Sequence, residues 1–201
     1  MRRQRQNRKI IIGLTGSFGS GKTTVARLLQ SYGSQIIDAD KIAASLQKPG
    51  SRIYKKIIRA FGSGVLKKDK SLNRQKLAKA VFNNRHLLKK LNRIMHPAVT
   101  KIIKSKMRDA RAKVIILDAP LLIEAGLKGL VDKLIVVKIK RKQQIERILK
   151  KTSLSKSDIL KRIKSQLPLK NKVRLADFVI DNRGTVENTK RQVRRIWEKI
   201  K

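Results

Sequence analysis

Ile10-Ile-Ile-Gly-Leu-Thr-Gly-Ser-Phe-Gly-Ser-Gly-Lys-Thr-Thr-Val-Ala-Arg-Leu-Leu-Gln30 places an apolar run, a glycine-rich turn and a helix-like run in direct succession. Its centre is the P-loop pattern: Gly16, four free positions (Ser17, Phe18, Gly19, Ser20), then Gly21-Lys22-Thr23. Ile10–Thr15 has strand character, and the segment from Thr24 reads as a helix. Strand, glycine turn and helix together make an anion cradle. Glycines let successive backbone N–H groups converge, and the helix N-terminus adds partial positive charge. In such a loop Lys22 reaches the β- and γ-phosphates of a nucleotide, and the Thr23 hydroxyl completes a Mg²⁺ shell.

The composition bounds the rest. At 201 residues, 40% of them hydrophobic, the chain has room for one domain of ordinary size with an inserted lobe. It has no cysteine and only two histidines, His86 and His96, which argues against disulfides, thiol chemistry and a histidine-rich metal site. No apolar run approaches a membrane span, and the basic stretch Met1–Lys9 lacks the apolar core of a secretory signal. A soluble, cytoplasmic protein with a basic flexible tail over residues 1–9 is expected. The formal net charge of +39 exceeds what capture of a nucleotide requires. Either it marks non-specific adhesion to RNA or other polyanions, or it is a basic surface without a specific partner. With 3% aromatic residues, a stacking platform for single strands is disfavoured.

Further strands are expected at Gln35–Asp38, Lys113–Asp118, Lys133–Val137 and Ala176–Ile180. Between the second and third, Ser51 to about Arg111 is helical and cationic, with His96-Pro97 expected to interrupt it and start a new helix. Residues 143–149 and 157–166 read as helices, and Val186 to the end as an amphipathic terminal helix on which Trp197 packs. Short apolar strands alternating with helices predict an α/β fold around a parallel sheet.

Three features favour a small-molecule kinase among P-loop proteins. The chain is short, and it has no Asn-Lys-x-Asp guanine-reading element. Asp38 and Asp40 follow a strand, at the carboxyl edge where open α/β sheets bind ligands. A carboxylate there can take a proton from an attacking hydroxyl or hold Mg²⁺; Asp40 is equally suited to cap a helix that begins beside it.

Taken in order, the motifs resemble the dephospho-CoA kinase family from about Ile10 to Gly184. They are Leu14-Thr15-Gly16 with the P-loop, Ile37-Asp38-Ala39-Asp40, Phe61-Gly62, Leu72-Asn73-Arg74, Val81-Phe82 and His96-Pro97. Asp118-Ala-Pro120-Leu121-Leu122-Ile-Glu124, Arg162-Ile-Lys-Ser-Gln166 and Ala176-Asp177-Phe178-Val-Ile-Asp181-Asn182 follow. The resemblance implies ATP-dependent phosphorylation of the ribose 3′-hydroxyl of dephospho-coenzyme A. It also implies a P-loop three-layer fold with a five-stranded parallel sheet. A single kinase domain over residues 10–201 would carry a helical substrate lobe at about 49–111 and a helical lid at about 141–170.

It further implies that Asp40 and Lys22 are catalytic. Gly16, Ser17, Phe18, Gly19, Ser20, Gly21, Lys22, Thr23, Thr24, Arg147 and Asn182 would bind ATP. Substrate would meet Asp40, Arg74, His96, Leu121 and Arg162, and Mg²⁺ would sit near Thr23 and, through water, Asp118. Arg74 is equally readable as a surface helix arginine and His96 as a turn histidine. Glu124 and the Leu121-Leu122 pair are expected as cleft walls. Lys150-Lys151-Thr152 departs from the family, which often has Arg-Asp there. Lysine keeps the charge but not the planar fork, leaving Arg147 and Arg162 to grip phosphate. Competing readings are a P-loop kinase for another alcohol or nucleoside monophosphate, and an ATP-dependent RNA-associated switch.

Overall fold

The computed structural model describes residues 8–82 and 84–201; most of the basic tail, residues 1–7, lies outside them. Five strands form the sheet: β1 (Ile10–Gly16), β2 (Gln35–Asp38), β3 (Val114–Asp118), β4 (Lys133–Lys138) and β5 (Phe178–Asp181). Their order is β2-β3-β1-β4-β5, and β1 pairs in parallel with both β3 and β4, as β4 does with β5. The expected five-stranded parallel sheet is present. β1 is therefore central, which is why Ile12 and Leu14 are fully buried and why the strand reads as an unbroken apolar run.

Helices α1 (Lys22–Ser31) and α9 (Val186–Ile200) cover one face. Val25, Ala26 and Leu29 of α1 and Val193, Ile196 and Ile200 of α9 pack on Ile12, Leu14, Ile116, Ile135, Val137 and Ile180. α1 begins with Thr23, Thr24 and Val25, β-branched residues that each cost a helix roughly 0.5 kcal/mol. Full burial of Val25 and Leu29 contributes about 1.5–3 kcal/mol apiece and outweighs that cost. Trp197 packs as expected, stacked on Tyr32 with ring centroids 5.8 Å apart. Helices α6 (Arg141–Leu149), α7 (Lys156–Lys164) and α8 (Leu169–Arg174) lie between β4 and β5. α8, six residues long, is too short to show a hydrophobic period in the sequence.

One compact unit comprises the chain through Ile37 and again from Asp109 to the end. Asp38–Arg108 form a second, helical unit: α2 (Ala39–Leu46), α3 (Arg52–Phe61), α4 (Arg74–Phe82) and α5 (Arg85–Asp109). Here one expectation fails. His96-Pro97 does not break the chain, because α5 runs through Pro97 for 25 residues. Asn84 caps it, its side-chain oxygen accepting from the N–H groups of His86 (3.0 Å) and Leu87 (3.1 Å). Met95, Val99 and Ile103 then recur every four residues on its buried side. That continuous apolar stripe outweighs the backbone bond Pro97 cannot donate.

Since the helix tolerates the proline rather than needing it, Pro97→Ala should stabilise the protein by about 1–3 kcal/mol. Urea unfolding followed by circular dichroism would register this as a higher midpoint; an unchanged or lower midpoint would show that Pro97 has a favourable role.

Candidate active site

The P-loop joins the end of β1 to α1, and its geometry starts from Gly21. This residue occupies the N-cap position of α1 with φ of +89°, and no side chain caps the helix. A Cβ there would stand 2.0 Å from Asn182 Nδ2, so both conformation and space demand glycine. Asn182 follows β5 and is 7% exposed. Its Nδ2 donates to the Ser20 carbonyl (2.7 Å), and its Oδ1 accepts from the hydroxyl of fully buried Thr189 on α9 (2.8 Å). Asn182 thus lines the cleft and also braces the loop. The first turn of α1 contains no acidic residue, so its N–H groups and positive end are available to an external anion.

β1 and β3 are adjacent and in register, Leu14 opposite Asp118, and the Ala119 N–H donates to the Leu14 carbonyl (3.1 Å). This brings Lys22, at the start of α1, to Asp118 at the end of β3. Lys22 Nζ lies 2.5 Å from Asp118 Oδ1, with the two side chains 13% and 14% exposed. Lys22 lines a cleft of about 570 Å³ with the rest of residues 17–24, Pro120, Arg147, Ile148, Lys151 and Asn182. Lys151, which stands in the stretch where the family often has Arg-Asp, is part of that wall. Phe18 presents its ring to Arg162, whose guanidinium carbon lies 5.6 Å from the ring centroid.

The loop after β3 is held by a buried network that sequence reading missed. Lys172 of α8 is fully buried, and its Nζ donates to the Pro120 carbonyl (2.8 Å) and pairs with Glu124 Oε1 (2.8 Å). The Pro120 carbonyl also accepts from Thr15 Oγ1 (3.0 Å), and Glu124 accepts from the Leu167 N–H (2.9 Å). The carboxylate of Glu124 is an anchor for α8. Leu122 is 0% exposed, with its Cδ1 2.8 Å from where a Cβ on Gly13 would stand. It belongs to the core instead of the cleft wall, because the turn after β3 folds it back over the sheet. Leu121, by contrast, is 46% exposed. Thr15, Pro120 and Glu124 stand in motifs of the sequence, but nothing there ties them to Lys172, one lysine among 52 basic residues.

In the helical unit the capping question is decided. The helix starts at Ala39, and its cap is Asp38, whose side chain accepts from the Lys41 N–H (2.9 Å). Asp40 lies inside the first turn and is not the cap. Arg74 is exposed at the start of α4 and lines a hollow of about 570 Å³ with Lys48, Lys67, Ser71 and Asn73. His96 is half-buried within α5.

A second hollow, about 630 Å³, is lined by Lys140, Gln143, Arg183, Arg191 and Arg195 together with Asp181. The Arg183 side chain donates to Asp181 and holds its carboxyl below the usual carboxylate range against the opposing effect of burial. Among the described residues there is no cluster of three or more acidic, His or Cys side chains suited to a metal, and no helix is long and apolar enough to cross a membrane.

Comparison with known proteins bears on this site. The family model for dephospho-CoA kinase matches residues 10–188. A dephospho-CoA kinase from Carboxydothermus hydrogenoformans is 45% identical over 194 residues, covering 95% of this chain and 94% of that protein. Among solved structures, TT1252 from Thermus thermophilus aligns with a TM-score of 0.86 and 30% identity, over 96% of this chain and 99% of the other. A dephospho-CoA kinase from Campylobacter jejuni aligns with a TM-score of 0.67 and 28% identity, over 94% and 96% of the two chains.

Two outcomes test the geometry. Gly21→Ala should abolish nucleotide binding in a titration calorimeter while leaving the far-ultraviolet spectrum folded. Lys172→Met takes the ammonium away from the Glu124 carboxylate and leaves the Pro120 carbonyl with Thr15 alone, so it should cost about 3 kcal/mol in urea unfolding; a loss under 1 kcal/mol would mean that the network does not hold the loop.

Proposed function

The chain belongs to the dephospho-CoA kinase family and carries its activity, the last step of coenzyme A biosynthesis, and on that premise we propose how its residues share the work. ATP is the donor and the ribose 3′-hydroxyl of dephospho-coenzyme A the acceptor. The observation that carries the assignment of the donor half is the uncapped N-terminus of α1, with Lys22 beside it in the cleft. Its N–H groups and Lys22 bind the triphosphate, and Lys22 leaves Asp118 for the β- and γ-phosphates as ATP enters. Arg147, half-buried in the cleft wall, and Arg162 stabilise charge on the transferring phosphoryl group.

Asp40 orients the 3′-hydroxyl and accepts its proton as the oxygen–phosphorus bond forms and the bond to the ADP oxygen breaks. The finding that supports this role is that the competing one, helix capping, is filled by Asp38. The positive end of α2 favours the ionised carboxylate that such a role requires. Arg74, with Lys48 and Lys67 around its hollow, offers a cationic surface for the anionic part of the substrate. His96 and Leu121 are further substrate contacts in this reading.

The donors suit Mg²⁺. Thr23 is exposed and offers a hydroxyl ligand, and Asp118 would act through water, hard oxygen chemistry for a cation that takes its remaining ligands from phosphate and water. When bound, Mg²⁺ would neutralise charge on the phosphates. A cytoplasmic location accords with this chemistry. Adhesion to polyanions is supported by the +39 charge, and the hollow of Lys140, Arg183, Arg191 and Arg195 is where it would concentrate.

A coupled assay of the purified chain should show ADP release with dephospho-CoA and little with AMP, CMP or shikimate. No turnover of dephospho-CoA would remove the proposal. Lys22→Ala should lower kcat by at least about 100-fold. Asp40→Asn should lower kcat by a similar factor while ATP affinity stays within about 3-fold; near-normal turnover in that variant would exclude Asp40 as the base.

A further inference from the structure

The crest of the P-loop is gripped from outside by side chains to which the reaction above gives no part. The Phe18 N–H donates to Gln166 Oε1 (2.8 Å), and the Phe18 carbonyl accepts from Gln144 Nε2 (2.5 Å). Gln144 is 3% exposed in α6, and Gln166 follows the end of α7. Both polar groups of one residue's backbone are therefore held, each by a different helical segment. Two further contacts come from the same segments. Ile148, one turn after Gln144, fills the space over Gly19, where a Cβ would stand 2.4 Å from Ile148 Cγ1. Arg162, one turn before Gln166, lies over the Phe18 ring.

The two arginines with phosphoryl-binding roles stand inside these grips. Arg147 is on α6 between Gln144 and Ile148, three residues from one and adjacent to the other. Arg162 is four residues before Gln166, and both reach Phe18. We propose that Gln144 and Gln166 are positioning residues for phosphoryl transfer, fixing Arg147 and Arg162 against the P-loop through Phe18. An amide suits the task. It supplies a donor to the carbonyl and an acceptor to the N–H without adding a charge that would compete with phosphate for lysine and arginine. Displacing a positioned group by about 1 Å can cost on the order of 100-fold in rate.

The inference rests on the kinase reading, so its test begins with wild-type turnover of dephospho-CoA; absence of that turnover would strike the reading, not the grip. Given turnover, Gln144→Met and Gln166→Met keep side-chain volume and remove the hydrogen bonds. Each should lower kcat by about 10- to 100-fold, with KM for dephospho-CoA within about 3-fold. Two results separate positioning from general support of the fold. In an Arg147→Ala background, Gln144→Met should cost less than about 3-fold, because the group it places is gone. Gln166→Glu still accepts from the Phe18 N–H and should keep kcat within about 10-fold of wild type, whereas Gln144→Glu loses its donor and should not. If the Met variants retain wild-type kcat, or the Gln144 and Arg147 losses multiply in full, the inference is overturned. Should Gln144→Met fail to fold, the Gln166 pair, at a half-buried position, decides the question by the same criteria.

Discussion

The P-loop depends on one constraint: α1 begins without a side-chain cap, as α6 and α8 also do, but it alone of the three follows the glycine-rich turn. α2, α3, α7 and α9 start on Asp38, Ser51, Ser155 and Thr185, each accepting a backbone N–H of its own first turn. α1 starts on Gly21, which offers nothing. Its first turn has no side-chain acceptor, so the protein forgoes roughly a few tenths of a kcal/mol of capping there. A loop left without that tether must be held by other means. Asn182 braces it at Ser20, Gln144 and Gln166 at Phe18, and the register of β1 with β3 fixes where it leaves the sheet.

Polar burial outside the loop follows from the same need. Lys172 is an expensive residue to bury, and a buried ion pair is weak support for stability in itself. Its use here is geometric. One ammonium reaches the Pro120 carbonyl and the Glu124 carboxylate, and Thr15 at the end of β1 reaches that same carbonyl. The segment that follows Asp118 is thereby tied both to α8 and to the central strand. An apolar side chain at residue 172 would fill the volume without orienting the turn.

Much of this was legible in the sequence because it depends on local pattern. Ile10–Thr23 specify strand, turn and helix start by the order and spacing of their residues, and the apolar runs at 114–117 and 134–137 mark strands buried on both faces. Asp40's exclusion as a cap was not legible, since Asp38 and Asp40 are chemically equivalent caps two residues apart. Pro97 misled for a physical reason: a local rule against proline was outweighed by an apolar stripe over three turns. Gln166 closes a motif quoted from the sequence, but its role, like those of Lys172 and Gln144, was not legible, because their partners lie 148, 52 and 126 residues away. Their residue types are also common on any surface.

The Lys22–Asp118 pair has a consequence for selectivity among anions. With an internal counter-ion at 2.5 Å, the P-loop lysine is already neutralised before any ligand arrives. A small anion such as chloride offers a single charge in exchange for a carboxylate already in place, and gains little by the swap. A triphosphate brings several charged oxygens at once and can hold the lysine and the helix end together. In a protein of net charge +39, the carboxylate would thus act as a threshold that favours multivalent anions over single charges.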